Sequence, residues 1–295
     1  MRAVIEYWIQ ISYQDGKVLC SRCGSEQVYE RRDRPQDYCC RDCGTTTSVF
    51  AHTIFHKSRT DIRKWFYAIY RMAATDRFGY PARQLMREIG VTYKCAWRIL
   101  HKIREAMGRD VVEKFKLLVE ADETFVGGKP RKGNGKWVRD TRRRATTKTP
   151  VLTLFDRRTG LVKASVTSLR RRGKRYVGDK MVRHIVENVE PDSIIFTDEH
   201  PGYNALDRLG WTHMSVAHNT RYVSEDGFVH NNGCESFHNT VKRTHWRYHK
   251  MGKQHLQSYM NECVYRWNTR NMTRSDCFDK LLMLGALNRR APRRG

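Results

Sequence analysis

Acidic residues are what this sequence has least of for its charge. Asp and Glu number 31 against 56 Lys and Arg, leaving a net charge of +25 over 295 residues. A basic surface kept only for solubility would spread that charge evenly. Here it is clustered, which points to a polyanion whose phosphates release counterions on binding. Proline is scarce, at 7 residues beside 20 glycines, so a fibrous or low-complexity chain is excluded. A 39% hydrophobic content with 7 Trp, 14 Tyr and 11 Phe excludes a disordered one. No apolar run approaches the roughly 18 residues of a membrane helix. The opening stretch MRAVIEYWIQIS contains Glu6 and lacks a signal-peptide core or cleavage site, which predicts a soluble intracellular protein. The length predicts about two domains, or three if some are small.

Cysteine is present in an odd number, 9, and five of them fall within residues 20–43. Cys20 and Cys23 form one CxxC followed by Gly24, and Cys40 and Cys43 form another followed by Gly44, with sixteen residues between the pairs. That spacing matches a structural zinc site, in which each knuckle turns two thiolates toward one tetrahedral ion. Cys39 competes with Cys40 as a ligand, since Cys39 with Cys43 would leave three residues between them; the repeated CxxCG favours Cys40. Disulfides are the rival use, but nothing indicates secretion. Tyr29, Val49 and Phe50 are expected to pack around a ribbon too small to hold together without metal. Cys95, Cys234, Cys263 and Cys277 are scattered and read as structural.

After the ribbon, Ser58 or Thr60 can cap a helix running to about Met72, with Ile62, Trp65, Phe66, Ile69 and Met72 as its apolar stripe. A short helix after Pro81 carries Leu85, Met86 and Ile89. Gly90 and Val91 make a turn, and Thr92 caps a helix to about Met107 that buries Ala96, Ile99, Leu100 and Ile103. Lys94, Arg98, Lys102 and Arg104 lie on its other sides. Two helices joined by a short glycine turn, the second one basic, read as a helix-turn-helix, with Lys94, Arg98 and Lys102 as DNA contacts. An ordinary helical bundle with solvated charges is the plainer alternative.

From residue 115 the pattern changes to strands at 115–126, 151–155, 161–166, 193–197 and 214–217, with a helix over 179–189. The order predicts a mixed sheet with helices on its faces. Asp122 lies near the end of the first strand and Asp198 directly after the fourth. Glu235 opens a predicted helix, and Lys242 follows it two turns on, on the same side. Three carboxylates brought to one sheet edge can hold two divalent ions for phosphodiester chemistry, with Lys242 on a nearby phosphate. Taken singly, an Asp at a strand end is most often a turn or cap residue. His230 and His238 can approach such a site or serve as structural histidines.

A loop from 129 to 144 holds eight basic residues against one acidic. Lys129, Arg131, Lys132, Arg142, Arg143 and Arg144 are read there as DNA contacts, and Trp137 as a ring that can stack on a base. Basic runs at 170–175 and 289–294 repeat the theme. Leu256, Met260, Cys263, Val264 and Trp267 form an apolar helical stripe for core packing or a dimer contact.

DETFVGGK at 122–129, FTDEHPGYNAL at 196–206 and HNNGCESFHNTVKR at 230–243 resemble the three motif blocks of DDE transposases. With LCSRCGS and YCCRDCGTTTSVFAHTIFHKSRTDIRKWFYAIY, the chain is similar over residues 15–272 to the ISXO-type insertion-sequence transposases of bacteria and archaea. The resemblance implies a multidomain α/β protein. It would have a zinc ribbon at 1–56, a helix-turn-helix DNA-binding domain at 57–110, an RNase H-like DDE catalytic domain at 111–275 and a basic tail at 276–295. It implies one structural Zn²⁺ and two catalytic Mg²⁺ or Mn²⁺ ions held by Asp122, Asp198 and Glu235, with Lys242 beside them. Some relatives resemble the pattern with Asn as third ligand, which keeps Asn232 as an alternative to Glu235. The implied activity is DNA cleavage and strand transfer at terminal inverted repeats, by a homodimer or larger homo-oligomer in a prokaryotic cytoplasm, at the nucleoid. A non-catalytic regulator domesticated from a transposase and a nuclease without joining activity are the alternatives.

Overall fold

Helix α1 (Arg2–Ser12) opens the chain and buries Ile5, Trp8 and Ile9 at helical spacing. A three-stranded antiparallel ribbon follows, β1 (Val28–Glu30), β2 (Asp37–Cys40) and β3 (Thr46–Ser48). In this computed structural model the described residues are 1–74, 78–127, 148–167, 175–198, 201–216, 230–249 and 251–286. They divide into two compact units, Met1–Asp76 with Tyr80–Asp110 and Asn271–Gly295, and Arg77–Gly79 with Val111–Arg270. None of the described helices is long and apolar enough to cross a membrane.

In the first unit, the Trp8 indole donates to the Val49 carbonyl at 3.0 Å, and its ring meets Phe50 and Phe55. Val49 is fully buried, but Tyr29 is not part of this core: it is 47% exposed, with Arg41 over its ring. The ribbon's strands are too short to cover both faces, so α1 supplies the cover. Helix α2 (Ile62–Ala74) buries Ile62, Trp65, Ala68, Ile69 and Met72 and leaves Phe66 half-buried. Helix α3 (Ala82–Ile89) stops at Gly90, whose left-handed φ of 60° suits glycine. Thr92 then caps α4 (Tyr93–Met107) by accepting from the Cys95 amide. Arg104 is 2% exposed and belongs to the interior, where simple periodicity placed it on a solvated side.

The second unit is a five-stranded sheet in the order β6-β5-β4-β7-β8, built from β4 (Leu118–Val126), β5 (Thr149–Asp156), β6 (Val162–Val166), β7 (Ile194–Asp198) and β8 (Thr212–Val216). The first three pair antiparallel, and β4, β7 and β8 pair parallel. The crossovers contain α5 (Arg175–Asn188) and α6 (Ala205–Arg208), and α7 (Asn232–Tyr248) and α8 (Leu256–Asn268) follow. Alternation along β4 sorts its residues. Val119 and Ala121 join Leu152, Leu154, Met181 and Ile185 in one core. Val126 joins Val151, Phe237, Val241, Met260 and Cys263 in the other. Both faces are covered, which explains the nearly continuous apolar run of β5. The stripe at Leu256, Met260 and Cys263 is core packing.

Helix α9 (Arg274–Ala286) returns to the first unit. It buries Cys277, Leu281 and Leu282, and Lys280 pairs with Asp110 at 2.8 Å. Residues 276–286, read in sequence as part of a tail, are therefore a packed helix. Its LLMLGA run is apolar nearly all round and shows no clear stripe.

Candidate metal and nucleic-acid sites

The ribbon brings together the side chains of Cys20, Cys23, Cys40 and Cys43, whose sulfurs all lie within 4.8 Å of one another. Individual Sγ separations are 3.5 Å for Cys20 to Cys43 and Cys23 to Cys43, and 3.6 Å for Cys23 to Cys40. Four sulfurs about 2.3 Å from a zinc ion stand about 3.8 Å apart at the corners of a tetrahedron, so the donor set could hold zinc. The spacing is too wide for disulfides, and all nine cysteines are free. Cys39 points elsewhere, its sulfur 3.8 Å from the Gly44 carbonyl, because neighbouring strand residues face opposite sides. Hydrogen bonds from the Thr45 side chain and amide pull the Cys43 thiol down to about 6, toward the thiolate a metal needs.

In the second unit, the parallel register sets Glu120 beside Phe196. The paired residues stop there; continued by two residues, that register would bring Asp122 level with Asp198 at the end of β7. Asp122 is half-buried and accepts from the Glu123 amide at 2.7 Å. Burial first, then the charges of Glu123, Asp198 and Glu235, push its carboxyl up to about 8. Asp198 and Glu235 therefore both lie within electrostatic reach of Asp122. The three are looser than the cysteines, which alone among the described residues form a group of three or more ligand atoms within 4.8 Å. A carboxyl whose charge is disfavoured by burial and by other carboxylates is suited to a cation that restores the balance. The donor set, all oxygen, fits a hard divalent ion.

What seats Glu235 is a joint that sequence reasoning missed. Glu120 is fully buried and points to the same side of the sheet as Asp122. Its carboxylate accepts from the Gly233 and Cys234 amides at 2.8 and 3.1 Å, at the N-terminus of α7, where backbone donors lack helical partners. Arg157 donates to Glu120 at 2.8 Å and to the His230 carbonyl at 2.6 Å, and its guanidinium lies 4.0 Å from the centre of the Phe196 ring. His230 Nδ1 stands 3.2 Å from Glu120. Asn231, 2% exposed, donates to the Phe196 carbonyl and accepts from the Asp198 amide, its amide oriented by those partners. A Cβ on Gly233 would overlap the Phe155 ring, so glycine is needed for α7 to come this close to β5. A buried Glu flanked by a basic residue after the β5 turn and a Gly-Cys helix start was the available signal.

His238 is 4% exposed. Its Nε2 meets Thr153 Oγ1 at 3.0 Å and its Nδ1 lies 3.5 Å from Asp122. Burial, then Lys242, hold it down at about 4, so the imidazole is neutral at pH 7. Lys242 is exposed on α7, as is Asn232 at its start. On α4, Lys94 and Arg98 are exposed, whereas Lys102 is partly buried, donates to the Ile54 carbonyl at 3.0 Å and is lowered by burial, then by Arg98. Lys129, Arg131, Lys132, Trp137, Arg142, Arg143 and Arg144 lie outside the described residues, as do the runs at 170–174 and 289–294.

A mixed sheet with Asp122 in the middle of β4, Asp198 at the end of β7 and Glu235 in the first turn of α7, in a chain that also carries a four-cysteine ribbon, defines a class of metal-suited α/β proteins. Within that class, residues 115–268 match the ISXO2-like transposase domain. That match spans more than half of the chain, which belongs to this family. Over 269 residues, covering 85% of both chains, it is 29% identical to a Halobacterium salinarum protein described as an uncharacterized protein in transposable element ISH50. It is 31% identical over 103 residues, 35% of this chain and 82% of the relative, to an uncharacterized transposase-like protein of Haemophilus influenzae. Among solved structures, a Mos1 strand transfer complex aligns over 79% of each chain at 12% identity with a TM-score of 0.26, a likeness too remote to carry an argument.

Proposed function

We propose that the chain is a DDE transposase whose five-stranded unit is an RNase H-like catalytic domain, bounded about as the sequence suggests at 111–275. The ribbon (1–56) and the helices after it (57–110) bind the terminal inverted repeats of an insertion sequence. In that role α3, the Gly90 turn and α4 act as a helix-turn-helix, with Lys94 and Arg98 as its exposed cations. What supports the reading is the match of residues 115–268 to the ISXO2-like transposase domain, together with the charges of Asp198 and Glu235, which both act on the Asp122 carboxyl from distant parts of the sequence.

Asp122, Asp198 and Glu235 would hold Mg²⁺ or Mn²⁺, and Asn232 is displaced from that role because it is neutral and lies a turn earlier. The ions, when bound, activate the attacking oxygen and stabilise charge on the leaving one. Glu120, Asn231 and Arg157 keep the acidic side chains in register, and neutral His238 packs against Asp122 without adding charge. Lys242 contacts a phosphate beside the site. Water attacks phosphorus and the 3′-oxygen leaves as a 3′-hydroxyl. That hydroxyl then attacks a phosphodiester of target DNA, displacing another 3′-oxygen, with no covalent bond to the protein. Two element ends must be processed together, so the working form is at least a homodimer.

The test is a cleavage and joining assay with Mg²⁺ and labelled DNA from the flanks of the gene, comparing wild type with Asp198→Asn. Nicked ends and joined products present in wild type and absent in the variant are expected. Tight, zinc-dependent binding with no cleavage in Mg²⁺ or Mn²⁺ would overturn the enzyme and leave a DNA-binding regulator. Cleavage without joining would leave a nuclease.

A further inference from the structure

Helix α7 continues well past Glu235. Lys242 and Trp246 follow by seven and eleven residues, which on a helix of 3.6 residues per turn places all three within about 20° of one line. All three are exposed. At about 1.5 Å per residue, Trp246 stands roughly 16 Å along the axis from Glu235. Its ring is 82% exposed, a large apolar surface that folding has left in water.

The surroundings of that ring are cationic. Trp246 lines an open concavity of about 530 Å³ with Phe78, Lys242, Arg243, Arg247 and His249, and the Arg243 guanidinium lies 5.6 Å from the centre of the Phe78 ring. Lys242, Arg243 and Arg247 have no carboxylate partner among the described residues. An acidic peptide would satisfy these cations but leave the ring unused. A ligand that offers a flat aromatic face and a phosphate together would use both.

We propose that Trp246, Arg243 and Arg247 form a stacking site for an unpaired nucleobase, with the arginines on its flanking phosphates. The proposal rests on the DNA-cleaving reading above, since it is the same strand that would run from Glu235 along α7. In duplex DNA, stacked neighbours cover each base face, so the free face must come from an extrahelical or frayed nucleotide. At 3.4 Å per step, the spacing to Glu235 corresponds to about five nucleotides of duplex.

The experiment uses the full-length, zinc-loaded protein and two duplexes of one sequence, fully paired or with one unpaired 2-aminopurine. Wild type is expected to prefer the unpaired probe about tenfold or more and to quench its fluorescence, as a stacking contribution of about 1–3 kcal/mol requires. Trp246→Phe keeps most of that preference. Trp246→Ala loses it while binding the paired duplex as before. Arg243→Gln with Arg247→Gln lowers the salt dependence of binding by about two in slope. An unchanged preference in Trp246→Ala overturns the proposal, as does a fall in that variant's sedimentation mass, which would assign the ring to a second copy of the chain. Cleavage by wild type with no preference for the unpaired probe sinks this site alone. A preference lost in Trp246→Ala, in a protein that never cleaves, sinks the catalytic reading and leaves the site standing.

Discussion

The ribbon and the five-stranded sheet each gather ionisable side chains at one point, by opposite means. In the ribbon, four cysteines come from two knuckles within residues 20–43, and local turns alone bring the sulfurs within 4.8 Å. In the sheet, the carboxylates come from residues 122, 198 and 235, held by a parallel register and by one helix seated on Glu120. The first cluster is tight because it is local. The second is looser and sensitive to every contact that sets α7 against β4. Metal loading should therefore decide whether the ribbon folds, whereas the sheet should fold first and bind its ions afterwards.

The largest effect should come from breaking the ribbon. Cys40→Ser should abolish the bound zinc measured by atomic absorption and unfold residues 20–50 in hydrogen exchange, since metal binding in such a domain is its folding free energy. Cys39→Ser should change zinc content not at all and stability by no more than about 0.5 kcal/mol. Zinc loss in both variants, or in neither, would erase the distinction between the two cysteines.

Next in size is the joint under α7. Glu120→Gln leaves Arg157 without its buried partner and weakens the seat of two amides, so denaturant melts should show a loss of about 3–5 kcal/mol. In whatever fraction remains folded, cleavage should fall by roughly 10–100-fold, as when a residue supporting a metal ligand is removed. A variant as stable and as active as wild type would show that the helix seats itself.

The Asp122 carboxyl gives a smaller effect with a definite sign. Raised to about 8 in the folded protein against about 4 in an unfolded chain, it keeps its proton folded and releases it unfolded. Stability without divalent ions should therefore fall as pH rises from about 4 to 8. Asp122→Asn should remove that fall, giving a gain on the order of a few kcal/mol at pH 8 and almost none near pH 4, while it destroys cleavage. Parallel pH profiles for the two proteins would contradict the crowding of carboxylates. Smallest is the α4 cap: Thr92→Ala should cost about 1 kcal/mol in a thermal melt, with no change at the sheet.

The contrast also explains what could be read from the sequence. Knuckle spacing, the Thr92 cap, the Gly90 stop and the strand order are short-range signals, and each appears where expected. Asp122, Asp198 and Glu235 were legible as motif residues, but nothing in their spacing told how they meet. Glu120 and Asn231 act through contacts across more than thirty residues, and each alone looks like an ordinary polar residue. Arg104 and Lys102 looked solvated by periodicity because the neighbours that bury them, such as the Ile54 carbonyl that Lys102 reaches, are not encoded in their own helix. Helix α9 was hidden for the opposite reason, its LLMLGA half being too evenly apolar to show a face.

The measurement closest to the central claim is a Mn²⁺ titration of the zinc-loaded protein at pH 8, followed by calorimetry and electron paramagnetic resonance. The account predicts two bound Mn²⁺ ions, an affinity that falls as pH drops below about 8 and the Asp122 proton competes, loss of binding in Asp198→Asn and Glu235→Gln, and retention in Asn232→Ala. No Mn²⁺ bound by wild type, or binding unchanged in Asp198→Asn, would contradict it.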